Sequence, residues 1–470
     1  MKTRSTLICG IALASVALAF TGCSKKKSSS SSSTVASSTS SNTTVITSGS
    51  TGATSSNSTA ATNTASTTPP AVPLPNTGTG SFIDGSASLP ASTTDDFGVA
   101  AADFDGDGDM DLMIAANLAP SRILENDGGN FTVKAGAFPS IVMRATDVHA
   151  RDLDKDGDMD LVVASNMEPI RVFKNDGTGT FVLTGSFVTN NDTFTYKIAV
   201  ADFDGDGYDD VFMGNAGLNA PSSGQNRLLI NDTSGAFKEA TAGSVPNLDD
   251  DTLGVAAVDF DGDGDLDLFA ANFGTAHRLL INDGQGTFTD GSDTFLPPKV
   301  TYGTSVSVAD FNQDGYPDLF IGSEGAPSAS APPQGEQNAL FLGSQGGVMS
   351  DASATLPQLT DTTFGLVSLD ANGDGAPDLA ISNLRGVQGL YLNVNGRLVQ
   401  ATANLPSSNT ASDSLGCTSA DFNGDRAPDL IFLQRNATPK LYLNVPQATT
   451  TAGPARPAPA TPRPTNLSPI

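Results

Sequence analysis

The sequence predicts an all-β fold: a seven-bladed β-propeller, its last blade closed by the N-terminal strand, on a disordered Ser/Thr-rich N-terminal linker. Three observations predict it. An acidic ten-residue unit recurs seven times, starting at Asp103, Asp152, Asp202, Asp259, Asp310, Asp370 and Asp421. Successive starts lie 49, 50, 57, 51, 60 and 51 residues apart, near the length of one four-stranded blade. The seventh copy lacks a fourth strand, and a matching strand stands ahead of the first copy.

The chain opens with Lys2 and Arg4 before an apolar run from Leu7 to Phe20, which reads as an export signal over residues 1–22. The run is shorter than the roughly 20 apolar residues a membrane span needs. Phe20-Thr21-Gly22-Cys23-Ser24 resembles a bacterial lipoprotein signal, which implies lipidation at Cys23 and an outer-membrane or cell-surface anchor. The competing reading is an ordinary cleaved signal with an incidental cysteine. Residues 23–79 are nearly all Ser, Thr, Ala, Asn and Gly, too poor in apolar side chains to offset their ordering entropy. The Pro-rich tail, 446–470, is expected to be disordered as well.

Between them, residues 80–445 carry the repeats. A small, apolar first strand precedes each acidic unit, as in Phe97-Gly98-Val99-Ala100-Ala101-Ala102. Both of its faces read as buried. A second strand follows the unit (Leu112 to Ala116), then a loop and a third strand such as Arg278 to Asn282. Asp-Gly turns at Asp176-Gly177 and Asp283-Gly284 suit a hairpin into the fourth strand, which opens on Phe131, Phe181, Phe237, Phe288, Val348 or Leu398. Copy seven stops at Leu441-Tyr442-Leu443-Asn444. Its missing strand is supplied by Gly80-Ser81-Phe82-Ile83-Asp84, so the two ends of the domain pair and remove an open edge.

Each unit reads D-x-[D/N]-x-D-G-x-x-D. Ca²⁺ takes about six to eight oxygens, and a tight loop can aim alternate side chains at one point, with glycine at position six permitting the turn. The side-chain ligands are expected at positions one, three, five and nine. In the first four copies all are carboxylates: Asp103, Asp105, Asp107, Asp111; Asp152, Asp154, Asp156, Asp160; Asp202, Asp204, Asp206, Asp210; and Asp259, Asp261, Asp263, Asp267. Position seven adds a backbone carbonyl from Asp109, Asp158, Tyr208 and Asp265. The last three copies use Asp310, Asn312, Asp314, Asp318; Asp370, Asn372, Asp374, Asp378; and Asp421, Asn423, Asp425, Asp429, with the carbonyls of Tyr316 and Ala376. Three amides for carboxylates lower the charge there, and Arg426 replaces the turn glycine in the seventh copy. Up to seven Ca²⁺ are expected, the seventh site departing furthest from the pattern. An EF-hand is excluded because no helices and no Glu at position twelve flank the loops, and Mg²⁺ suits them less. Metal-free Asx-turns are the alternative, at the cost of repulsion among the carboxylates.

With Phe97-Gly98, Phe364-Gly365 and the stretch Asp318 to Pro327 ending Gly325-Ala326-Pro327, the chain resembles the FG-GAP or VCBS repeat of integrin alpha-chain propellers. The resemblance covers roughly 80–445. It implies a calcium-bearing propeller and leaves the ligand open.

Composition narrows the partner. Acids number 51 against 24 basic residues, a net charge of −27, and the basic residues are scattered, which argues against nucleic acid. Three cysteines and two histidines exclude a disulfide framework and Cys/His zinc chemistry. The two long second-to-third loops, Asn215–Asn226 and Ser323–Asn338, fall on the face away from the calcium loops. Asp95, Asp96, Asp251, Asp361 and Asp413 precede first strands and act either as turn caps or as an acidic rim. His149 and Arg151 interrupt an otherwise small first strand, His277 reads as an exposed loop residue, and Cys417 as a buried, inert thiol. The expected function is an exported, non-catalytic binding or adhesion module for an extracellular protein or glycan, touching membrane only through its lipid anchor. The alternatives are a lyase-like polysaccharide enzyme and a purely structural surface protein.

Overall fold

A computed structural model describes residues 76–187, 194–217, 224–248, 250–327 and 333–447. The expected signal, Cys23, the linker up to residue 75 and the tail from residue 448 lie outside the described residues. The described part is all β apart from single helical turns, among them Ser292–Phe295.

Twenty-eight strands form seven four-stranded antiparallel blades among the described residues. The first strands run Asp95–Ala102, Val142–Arg151, Phe194–Ala201, Thr252–Val258, Val300–Ala309, Thr363–Leu369 and Cys417–Ala420. Each packs against the first strand of the next blade, and that of blade 7 packs against that of blade 1, so the ring is closed. Gly78–Asp84 pairs antiparallel with Lys440–Pro446, Phe82 opposite Asn444, and supplies the fourth strand of blade 7 as the sequence predicts. Two seams also share backbone ladders: Asn117–Pro120 of blade 1 pairs with Val142–Arg144 of blade 2, and Phe273–Ala276 of blade 4 with Val300–Tyr302 of blade 5.

Burial of the strands departs from the expectation drawn from the repeats. The strand buried on both faces is the second, not the first: Leu112, Met113, Ile114, Ala115 and Ala116 are all fully buried. The second strand lies mid-blade with a sheet on either side, whereas the first borders the axial channel and keeps half its residues partly exposed. Between blades the core is aromatic. Phe104 of the blade 1 loop packs edge-on against Phe181 of blade 2 at 5.3 Å, Phe203 against Phe288 at 5.8 Å, and Phe422 against Phe131 at 5.8 Å. Such pairs add about 0.5–1.5 kcal/mol each beyond their buried area. In blade 5 the fourth-strand anchor is Met349, which is buried, while Val348 is exposed. Met349 follows Gly343 at the same spacing at which Phe181, Phe237 and Phe288 follow Asn175, Asn231 and Asn282, so it is the true equivalent of those rings.

The acidic loops and the axial channel

The seven acidic loops share one backbone scaffold. The carboxylate at position one accepts two backbone N–H groups, as where Gly106 and Gly108 donate to Asp103 at 2.8 and 3.0 Å. Gly205 and Gly207 do the same to Asp202, and Gly262 and Gly264 to Asp259. Turning those N–H groups inward puts two residues in the left-handed region. Position six is Gly108 at φ +95° in blade 1 and Arg426 at +71° in blade 7. Position four is left-handed too, at Gly106, Lys155, Gly205, Gly262, Gln313, Gly373 and Gly424. The recurring glycine at position four was a legible signal that the nine-residue pattern leaves out. Arg426 keeps the glycine's role, its N–H reaching Asp421 at 2.8 Å.

The side chains of positions one, three and five converge in blades 1 to 4. Asp103, Asp105 and Asp107 each offer a carboxylate oxygen within 4.8 Å of the others, as do Asp152/Asp154/Asp156, Asp202/Asp204/Asp206 and Asp259/Asp261/Asp263. Two oxygens, Asp105 Oδ1 and Asp154 Oδ1, are buried without a hydrogen-bond partner. Three carboxylates at such spacing, some with orphaned oxygens, fit a hard divalent cation. Lys134 Nζ meets Asp105 at 3.0 Å and Lys174 Nζ contacts Asp154, so blades 1 and 2 carry a built-in counter-charge. In blades 5 and 6 the amides of Asn312 and Asn372 donate to Asp314 and Asp374, each at 2.9 Å.

Position nine behaves differently. Asp111 is buried and both its oxygens accept backbone N–H groups, from Phe104 at 3.1 Å and Asn126 at 2.8 Å. Asp160, Asp210, Asp267, Asp318, Asp378 and Asp429 are buried equally, tying loop to third strand. Burial pushes the Asp111 carboxyl up to about 6. The third-strand residue that completes this tie is an asparagine in six blades, and it reaches further. Asn175 Nδ2 donates to the Phe104 carbonyl of the preceding blade's loop at 2.8 Å. Asn126, Asn231, Asn282, Asn393 and Asn444 repeat the contact with Phe422, Leu153, Phe203, Phe311 and Ala371. Each acidic loop is thereby latched to the next blade, except at the seam where blade 5 has Gly343. Sequence reasoning missed this latch, although most of these asparagines stand 15 residues after the position-nine Asp.

On the opposite face, the second-to-third loops are closed at their necks by one repeated bond. The residue before the third strand accepts the N–H at the end of the second: Ser121 from Ala116, Asn226 from Asn215, Asn338 from Ser323 and Gln388 from Asn383. In blade 4 that residue is His277, whose Nδ1 accepts from Asn272 at 3.0 Å while Nε2 meets Thr301 Oγ1 at 3.1 Å. His277 is therefore buried, not exposed, and burial lowers it to about 4. Three of the acids ahead of the first strands, Asp95, Asp96 and Asp251, are held by polar partners. Arg122 holds Asp96 through two bonds at 2.7 and 3.0 Å, Arg435 reaches Asp95 at 2.9 Å, and Asp251 accepts the Gly217 N–H at 2.8 Å.

The axis of the ring is a cavity lined by first strands of all seven blades. Equivalent residues follow a β-bulge in blades 1 to 6: Gly98, Asp147, Lys197, Gly254, Ser305 and Gly365. Glycine lets neighbouring strands approach: a Cβ on Gly254 would stand 2.9 Å from Ser305 Cα, and one on Gly365 2.9 Å from Gly416 Cα. At the seam of blades 2 and 3 an ion pair replaces the glycines. Lys197 Nζ lies 2.9 Å from Asp147 Oδ1, His149 Nε2 lies 3.3 Å from Oδ2, and the Ile198 N–H donates to Oδ2 at 3.2 Å. Burial alone would raise the Asp147 carboxyl, but Lys197 and His149 outweigh it and hold it well below the usual range. Arg151 stands at the end of the same strand, 3.4 Å from Asp209. Cys417 is half-buried in the cavity wall, and desolvation pushes its thiol up to about 12.

Comparison with known proteins follows these repeats. A family model described as an FG-GAP-like repeat matches residues 152–213, 216–270, 259–321 and 370–432. Phosphatidylinositol-glycan-specific phospholipase D of Mus musculus is 30% identical over 149 residues, covering 27% of this chain. The Homo sapiens protein of that name is 27% identical over 191 residues, covering 40%. The chain spans 18% of the length of either relative. Among solved structures, BBS1N in complex with ARL6DN aligns with a TM-score of 0.48 at 14% identity, covering 78% of this chain and 98% of that one. Saccharomyces cerevisiae Sqt1 aligns with a TM-score of 0.49 at 11% identity, covering 80% of this chain and all of that one. The chain is thus built of FG-GAP-like repeats, folded as an all-β propeller.

Proposed function

We propose that this protein is an exported, lipid-anchored, calcium-binding propeller that acts as a non-catalytic surface module for an extracellular protein or glycan. The observation that carries the calcium part is the convergence of three carboxylates in each of blades 1 to 4. Positions one, three and five would hold the ion, and its charge would offset their mutual repulsion. Position nine would act from beneath, fixing the loop to the third strand. The FG-GAP-like repeats support the binding part. So do the long second-to-third loops, held at their necks by Asn226 and Asn338 on the face away from the acidic loops.

Anchoring rests on the sequence around Cys23 and on the tether that follows it. The functional test is a glycan and extracellular-protein binding screen of the full chain, run in calcium and in chelator. Saturable binding to one class, weakened by chelator, is expected. Binding to neither class would contradict the module reading. Metabolic labelling with palmitate should mark the wild type and miss Cys23→Ser, and equal labelling of both would contradict the anchor.

A further inference from the structure

We propose that the channel wall formed by blades 2 and 3 is a binding site for a small monoanionic carboxylate, held by His149, Arg151 and Lys197. The ring's own symmetry marks the place. Two residues on from the aligned bulge position, blades 1, 3 and 4 carry Ala100, Ala199 and Ala256, where blade 2 carries His149. Two further on stand Ala102 and Ala201, where blade 2 carries Arg151. The first strand of blade 2 thus sets Asp147, His149 and Arg151 on one face, beside Lys197 of blade 3. Asp147 and Lys197 close this seam as an ion pair, but closure does not call for His149, since blades 1, 3 and 4 carry alanine at its position.

The group is built and reachable. Asp147 is the buried anchor, with 9% of its side chain exposed, and it orients Lys197 and His149. The side chains of Lys197, His149 and Arg151 keep 25%, 31% and 46% of their surface open. The cavity they border holds about 300 Å³, and its other walls include Val99, Val255, Val306 and Leu366. That is room for a ligand the size of one sugar acid. Charge selects the class. Lys197 is already offset by Asp147 and Arg151 by Asp209, which leaves hydrogen-bond donors in plenty but little uncompensated charge. A single carboxylate fits such a site, and a phosphate dianion brings more charge than it can neutralise.

The probe is sodium glucuronate, with acetate and inorganic phosphate as comparisons, titrated into the full chain. Its two histidines make the readout clean, because His149 lines the channel and His277 is buried in the blade 4 loop neck. Glucuronate is expected to shift the His149 imidazole signals, leave those of His277 in place, and bind once per chain. Acetate should bind more weakly and phosphate no more tightly than glucuronate. His149→Ala/Arg151→Ala, which copies blades 1 and 3, should weaken glucuronate at least about tenfold with an unchanged melting curve. If that variant melts early, Arg151→Ala alone should show the loss. Failure of glucuronate to move the His149 signals, tighter binding of phosphate, or undiminished binding by these variants would overturn the proposal.

Discussion

Blades 1 to 4 and blades 5 to 7 build the same loop with different charge. In both groups position one accepts two N–H groups and positions four and six take left-handed backbone. In the first group three carboxylates then face each other. In the second an asparagine stands at the centre, and in blades 5 and 6 its amide hydrogen-bonds the next carboxylate. The difference separates two jobs of the repeat. Backbone geometry, latched through Asn126 and its counterparts at six of the seven seams, holds the ring together whichever residue stands at position three. On the calcium reading proposed above, the residue at position three, Asp in blades 1 to 4 and Asn in blades 5 to 7, would set the demand for an external cation.

Exchanging that residue tests the separation most strongly. Asp261→Asn should weaken calcium binding in blade 4 at least about tenfold, and Asn312→Asp should strengthen blade 5 by a similar factor. Calorimetric titration of each variant reads both effects. Equal affinities in the two variants would break the comparison.

A smaller effect is expected at the turn of blade 7. Arg426 occupies a left-handed position that glycine fills in every other copy. Arg426→Gly should stabilise the protein by about 1 kcal/mol in denaturant unfolding, in calcium and in chelator alike. A gain confined to calcium would mean that the arginine disturbs the ion site and not the backbone.

Within the first group, Lys174 already sits on Asp154, and a cation held there would have to displace it. Lys174→Met is expected to tighten the blade 2 site by up to about fivefold, in line with the ~1 kcal/mol that partly exposed pairs contribute. The blade 4 site, assayed in parallel, should not change.

How much of this was legible depended on whether a repeat advertised its job by residue type. Seven Asp-rich units declared the period, the ring and the carboxylate loops, and the strand from Gly80 declared the closure. The latch was missed because asparagine at the end of a strand looks like any turn residue. Its partner, a backbone carbonyl in the neighbouring blade, has no sequence signature. His277 misled for a related reason. Its equivalents are Ser121, Asn226, Asn338 and Gln388, which share an acceptor atom and not a side-chain type. The fully buried strand was misassigned because small residues suit both a packed strand and one bordering a narrow channel.

A pH-dependent effect is expected at that histidine, on the face away from the acidic loops. Its folded value of about 4 lies below the ordinary 6.5, so the unfolded chain binds its proton more readily between those values. The stability His277 contributes is complete above about pH 6.5 and is lost as pH falls toward 4. His277→Asn, the residue of blades 3 and 5, should leave the melting temperature unchanged at pH 7.5 and raise it at pH 5. Parallel melting curves for variant and wild type across that range would contradict this.

Calcium stoichiometry tests the central claim most directly. Equilibrium titration of the chelator-stripped full chain should resolve four tighter sites and up to three weaker ones, with the melting temperature rising as the tighter set fills. Absence of calcium binding, or seven sites of equal affinity, would contradict the assignment of cation demand to position three.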